Sequence, residues 1–199
     1  MTPGIVFPDI PISGNGMMAA AFLARGIRTF RAACDFVQRL PYGYNSDRDD
    51  LMILFKEGRG TCSSKHAVIA TLALEMGLPV TKSIGIYAMT EDLVTGTHAI
   101  LERHALPYVP MIHCFLVYGD KIIDLTAGNR NGKNRPLDTF LHTEEVAAAI
   151  SAKEEYLRYR KALEHLRATH DELHGIDIKT MLQARQEGLL LLKANIGEQ

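Results

Sequence analysis

The feature that most constrains the fold is an almost unbroken apolar run over residues 67–76. Because few polar side chains interrupt the stretch between Lys65 and Glu75, a helix there has almost no solvated face and must be buried on nearly all sides. Gly77 suits the left-handed position that ends a helix, and Pro79 prevents the helix from continuing. The sequence therefore predicts a central helix that begins near residue 62.

Length, charge and cysteine content narrow the class of protein. The chain has 199 residues, of which 47% are hydrophobic, enough to build one well-filled core. The formal net charge of −1 gives no general attraction to nucleic acid or to a membrane surface, so we expect neither as a partner. No apolar run reaches the length of about 18 residues that spans a bilayer. Three scattered cysteines make no disulfide framework, so we expect reduced thiols and a cytoplasmic protein.

The order of predicted elements is helices, then strands, then helices, which favours an α+β fold with segregated layers. The predicted helices cover residues 27–40, 47–56, 62–76, 144–173 and 177–196. The predicted strands are residues 80–90 and a hairpin over 111–126 that turns at Gly119-Asp120, and residues 91–110 form an irregular connection. Residues 1–24 are predicted to form an N-terminal arm that begins as an extended, proline-rich segment.

Cys62 stands where the central helix begins. A cysteine reacts as its thiolate, and a helix N-terminus favours that anion. Gly58 and Gly60 allow a sharp turn and a close approach of substrate, Arg59 and Lys65 add positive charge, and the Cys62 N–H is placed to bind an oxyanion. The alternative is that Cys62 is a small residue that only packs.

His113 and Asp124 are the candidate partners of a thiolate, which needs a base and a group that orients the base. They fall on successive strands of the predicted hairpin and become neighbours if the register matches. Asp124 is flanked by Ile122, Ile123 and Leu125, a setting in which a carboxylate needs a partner such as an imidazole N–H.

These residues resemble the transglutaminase-like branch of the papain-fold cysteine enzymes. The matching motifs, spread over roughly residues 25–127, are Gly58-Arg59-Gly60-Thr61-Cys62, Gly77-Leu78-Pro79, His113 and Asp124-Leu125-Thr126. The resemblance implies a papain-like core in which the cysteine helix packs on an antiparallel sheet, and a Cys62-His113-Asp124 triad. It assigns residues 25–140 to the catalytic core and residues 141–199 to a C-terminal helical extension that packs on the core.

The implied activity is acyl transfer through an acyl-thioenzyme, either hydrolysis of an amide or peptide or transfer to an amine. The expected substrate is a peptide or an amide-bearing small molecule, and no cofactor or metal is expected. A Cys-x3-His metal site through His66 is a weaker hypothesis, because the spacing supplies only two ligands. The competing function is a catalytically inert binding or scaffold protein on the same fold, and the C-terminal helices are a possible homo-oligomer contact.

Overall fold

A computed structural model describes residues 7–197 and confirms the α+β class. Its helices are α1 Met17–Leu23, α2 Phe30–Arg39, α3 Ile53–Glu57, α4 Cys62–Glu75, α5 Thr97–His104, α6 Ala152–Thr169 and α7 Ile178–Gly197, with a 3₁₀ turn at Asp171–Leu173. Its strands are β1 Val80–Met89, β2 Val109–Tyr118, β3 Lys121–Ile123 and β4 His142–Val146, and they form one sheet in the order β3-β2-β1-β4. No helix within residues 7–197 is long and apolar enough to cross a membrane.

The predicted central helix is confirmed as α4, which begins at Cys62. Most of its residues are buried on all sides, and Leu74 is the marked exception at 73% exposure. After the helix, Gly77 adopts φ +67°, the left-handed conformation that its position at the helix end requires. The apolar run was therefore a reliable guide to the helix at the centre of the core.

The predicted hairpin is also confirmed. β2 and β3 pair antiparallel with Leu116 opposite Ile123, and the chain turns at Gly119, whose φ is +61°. A positive φ at this position explains why the turn uses glycine.

Two predictions about residues 91–110 and 144–151 were wrong. The first stretch holds helix α5, which starts where the Glu91 carboxylate accepts the N–H groups of Gly96 and His98 at 2.9 and 2.7 Å. The second begins as strand β4 instead of a helix, because β1 offers a sheet edge whose hydrogen bonds override the local helix propensity of the Glu-Ala sequence.

Helix α3 is shorter than predicted and begins six residues later than Asp47. Asp47 accepts the N–H of Asp49 at 3.0 Å, and Asp50 accepts the N–H of Met52 at 2.8 Å. These side-chain bonds to nearby main chain stabilise turns in place of the first helical turn.

By its internal contacts the chain divides into two compact units. The first comprises residues 7–84, 114–129 and 145–151, and the second comprises residues 85–113, 130–144 and 152–197. The predicted division into arm, catalytic core and C-terminal extension stays a prediction.

The first unit has its core around α1, α2 and α4. Phe7, Ile12 and Phe22, which lie in the stretch predicted as an N-terminal arm, are buried in this core, while residues 1–6 of that stretch lie outside the described residues. Glu75 on α4 accepts the N–H groups of Met18 and Ala19 at 3.0 and 2.8 Å and so caps α1 from a distant point in the sequence.

The second unit has its core around α6 and α7. Tyr159 of α6 is fully buried, and its hydroxyl donates a 2.7 Å hydrogen bond to the Pro110 carbonyl on β2. The Arg185 guanidinium of α7 lies 4.8 Å from the centre of the Tyr159 ring. Tyr159 therefore joins two helices and a strand of the unit.

Tyr159→Phe is expected to lower the free energy of unfolding by about 1 to 3 kcal/mol, since it leaves the buried Pro110 carbonyl without its donor. Urea denaturation measures this change. Tyr156→Phe is the matched control on the same helix, because Tyr156 is 40% exposed, and it should change stability little. Equal effects of the two substitutions would contradict the assignment.

Candidate functional site

Cys62 is the first residue of α4 and is 9% exposed. Before it, Gly58 adopts φ +64° and ends α3, and Gly60 packs so closely that an added Cβ would lie 2.7 Å from the Ser64 hydroxyl. Thr61 and Ser64 form a reciprocal capping box in which each side chain accepts the main-chain N–H of the other. The thiol thus sits at a helix start whose approach is fixed by two glycines and a double cap.

An amide and a carboxylate hold the loop before Cys62 in place. The Ser64 hydroxyl donates to Asn45 Oδ1 at 2.8 Å, and Asn45 Nδ2 donates both to Glu57 Oε2 and to the Arg59 carbonyl, each at 3.0 Å. Glu57 Oε1 also accepts the N–H and the hydroxyl of Ser46, at 3.1 and 2.5 Å. No short pattern in the sequence predicts these bonds, because they join residues far apart in the chain.

Hydrogen bonds from Ser46 and then Asn45 lower the pKa of Glu57 to about 2. Hydrogen bonds to the ionised form favour the carboxylate, and Arg59, 3.6 Å away, adds a smaller effect. The Arg59 cation is therefore directed toward Glu57.

His66 is a fully buried link between the start of α4 and the chain after β3. Its Nδ1 lies 2.8 Å from the Cys62 carbonyl, and its Nε2 accepts the Leu125 N–H at 2.8 Å. A carbonyl only accepts and a main-chain N–H only donates, so the ring must be the neutral tautomer with its proton on Nδ1. His66 is thus a buried helix residue with a hydrogen-bond partner at each ring nitrogen.

Metal binding through His66 has no support from this geometry, since main-chain groups occupy both ring nitrogens. Across residues 7–197, moreover, no group of three or more histidine, cysteine, aspartate or glutamate side chains is arranged to hold a metal ion.

Asp124 follows β3 directly and lies beside His66, with 3.5 Å between its Oδ1 and the ring Nε2. The same Oδ1 accepts the N–H and the hydroxyl of Thr126 at 2.8 and 2.7 Å. These bonds favour the ionised carboxylate and fix its orientation. The structure therefore brings Asp124 and the main chain of Cys62 to the two sides of one imidazole.

Lys65 neighbours this group as a fully buried ammonium. Its Nζ donates to the Gln38 carbonyl at 3.2 Å, to the Leu40 carbonyl at 2.5 Å, and to Asn129 Oδ1. Burial lowers its pKa to about 8, and the Asp124 carboxylate opposes that change. The amine thus remains mostly protonated at neutral pH and supplies a fixed positive charge to this part of the first unit.

His113 lies on β2 in the second unit and is 2% exposed, with its ring edge-on to Tyr87 at 6.5 Å between centroids. Leu116 pairs with Ile123 in the hairpin, so the same register at the next position sets Asp124 opposite Phe115. Since strand side chains alternate, His113 shares its face of β2 with Phe115. Cys114 takes the other face, where its sulfur lies 3.5 Å from the Ser63 hydroxyl.

Comparison with known proteins gives no match to a protein-family model, to a curated protein or to a solved structure. The transglutaminase-like assignment and the papain-like core therefore rest on the motifs and remain proposals.

Glu57→Gln is expected to flatten the acid dependence of stability. Because the folded-state pKa lies below the ordinary value of 4.5, the carboxylate stabilises the fold above that pH, and the contribution is lost as pH falls toward 2. Denaturation midpoints measured between pH 5 and about pH 2 should fall more steeply for the wild-type protein than for the variant.

Glu145→Gln is the matched control, since Glu145 is an exposed carboxylate outside this network. The account of the loop would be wrong if Glu145→Gln flattened the acid dependence as much as Glu57→Gln does.

Proposed function

We propose that this protein is a cysteine-dependent acyl-transfer enzyme of the transglutaminase-like type. Cys62 is the nucleophile, His113 transfers the proton and Asp124 orients the imidazole. The substrate is a peptide or an amide-bearing small molecule, and the acyl group passes to water or to an amine. Within the α+β fold, the proposal includes a papain-like core.

The observation that carries the proposal is the position of Cys62 as the first residue of a buried helix. The dipole and the N–H groups of such an end favour a thiolate over a thiol. The close packing of Gly60 and the left-handed Gly58 support the same reading, because they fix the backbone that leads into Cys62 and so hold its N–H in place for an oxyanion.

The choice of His113 as base is supported by what His66 does. His66 is nearer to Cys62 along the chain, but its Nε2 lone pair accepts the Leu125 N–H and its Nδ1 proton is given to the Cys62 carbonyl. A proton acceptor needs an available lone pair. The hairpin register also supports Asp124 as the orienting residue. In that register Asp124 lies opposite Phe115, on the face of β2 that also carries His113.

The proposed reaction has two halves. His113 takes the thiol proton, the sulfur bonds to the carbonyl carbon, and the oxyanion is stabilised by main-chain N–H groups at the helix start. The intermediate then collapses to a thioester while the amine or alcohol leaves with the proton from the imidazole. In the second half, water or an amine loses a proton to His113 and attacks the thioester, which releases the thiol.

Cys62 is expected to react with limiting iodoacetamide at pH 6.5 at least about 10-fold faster than Cys34 or Cys114. Burial, and secondarily Asp35, raises the pKa of the Cys34 thiol, so that residue should react slowly. Intact-mass and peptide mass spectrometry locate the label. His113→Gln should remove the preference for Cys62, while a melting curve of the variant checks that the fold survives.

An activated ester supplies the test of catalysis. Mixing the protein with p-nitrophenyl acetate should add one acetyl group at Cys62 and then release it with turnover, and Cys62→Ser should abolish both. Labelling of all three cysteines at similar rates, or acetylation that His113→Gln leaves unchanged, would refute the triad and favour the inert binding or scaffold protein.

A further inference from the structure

A cavity of about 250 Å³ lies in the second unit between β4 and α6. His142 and Glu144 alternate onto one face of the strand, and the helix contributes residues at helical intervals, which places them on one face as well. The helical residues are Arg158, Lys161, Ala162 and His165. The side chains that line the cavity from the strand and from the helix therefore include several hydrogen-bond donors.

Among the positively charged and hydrogen-bond-donor side chains of the cavity, Arg158 already has ion-pair partners. Arg158 pairs with Glu144 within the cavity wall and with Glu154 at 3.1 Å, so its charge is offset by two carboxylates. Within residues 7–197, the Lys161 amine and the ring nitrogens of His142 and His165 have no hydrogen-bond or ion-pair partner. The two imidazole rings lie 5.7 Å apart between centroids, on opposite walls of the cavity.

We propose that this cavity binds the phosphate group of a small phosphomonoester. Lys161 supplies a point charge, and His142 and His165 supply N–H donors from the strand and the helix, so the cavity wall offers an anion three donors from two elements. A phosphate has enough acceptor oxygens to use all three. The cavity is far larger than the roughly 15 Å³ that one water needs, which leaves room for a small organic group.

The Arg158–Glu144 pair limits the charge that the cavity offers to a ligand. Because Arg158 offsets the charge of Glu144, the positive charge in the cavity wall that is not already paired is that of Lys161, which suits a single phosphate better than a polyanion. The same pairing removes Glu144 as a third metal ligand, in agreement with the lack of a three-residue metal cluster among the described residues. A single phosphate with a small substituent is therefore the ligand that the charges favour.

This site is independent of the proposed acyl-transfer chemistry. None of Cys62, His113 and Asp124 lines the cavity, so loss of phosphate binding would leave the labelling of Cys62 unchanged, and failure of the triad would leave the cavity intact.

The test is titration of the full chain with inorganic phosphate and with phenyl phosphate, followed through the imidazole proton resonances by NMR. His142→Gln and His165→Gln variants assign the two signals. We expect saturable shifts of both signals with a dissociation constant of about 1 mM or tighter, and tighter binding for phenyl phosphate.

Lys161→Gln should weaken binding about 10-fold or more, because it removes a charge-assisted hydrogen bond. Lys153→Gln is the matched control, since it removes the same charge from an exposed position of α6 outside the cavity. The proposal would be overturned by a response that fails to saturate at about 10 mM phosphate, by equal weakening in the two lysine variants, or by acetate binding as tightly as phosphate.

Discussion

The two main-chain hydrogen bonds of His66 are the constraint on which the first unit depends. The main-chain N–H of Leu125, beyond the end of β3, needs an acceptor, and the buried ring accepts it at 2.8 Å while its other nitrogen lies 2.8 Å from the Cys62 carbonyl at the start of α4. Because the ring donates through Nδ1 and accepts through Nε2, it fixes how Cys62 and Leu125 lie relative to each other. Asp124 is carried into the same neighbourhood by its chain connection to Leu125.

The helix that carries this link is apolar around most of its surface and yet buries a cation and an imidazole in adjacent positions. The Lys65 ammonium is tolerated because three oxygen acceptors surround it, two of them main-chain carbonyls at the C-terminal end of α2. Its charge also balances Asp124. Burying these two side chains therefore costs less free energy than burying the same groups without hydrogen-bond partners. Their fixed positions also give the start of α4 a defined electrostatic environment.

Local signals predicted the parts of the fold that depend on neighbouring residues. The apolar run and Gly77 gave α4 because a buried helix and its left-handed end are encoded within a few residues, and Gly119 gave the hairpin turn in the same way. Helix α5 and strand β4 were missed because a carboxylate several residues away caps the helix and a sheet edge accepts the strand. Short patterns carry no information about either.

The same distinction applies to the candidate site. Cys62 was chosen as a candidate because it begins the predicted central helix, and Asp124 because apolar residues flank it on a predicted strand; their catalytic roles stay predictions. The bonds from Asn45 to Glu57 and from Lys65 to the Gln38 carbonyl join residues that a local pattern does not connect, so these contacts could not be predicted from the sequence. The cavity between β4 and α6 could not be predicted for a similar reason, since residues 144–151 were predicted as helix and strand β4 was not predicted.

The tautomer of His66 tests the central claim most directly. Long-range ¹H–¹⁵N NMR of the ring at neutral pH is expected to show a protonated Nδ1 and an unprotonated Nε2, with the Nε2 signal coupled across the hydrogen bond from the Leu125 N–H. A ring protonated on Nε2, or a charged ring, would contradict the account, because neither form can accept the Leu125 N–H while donating to the Cys62 carbonyl.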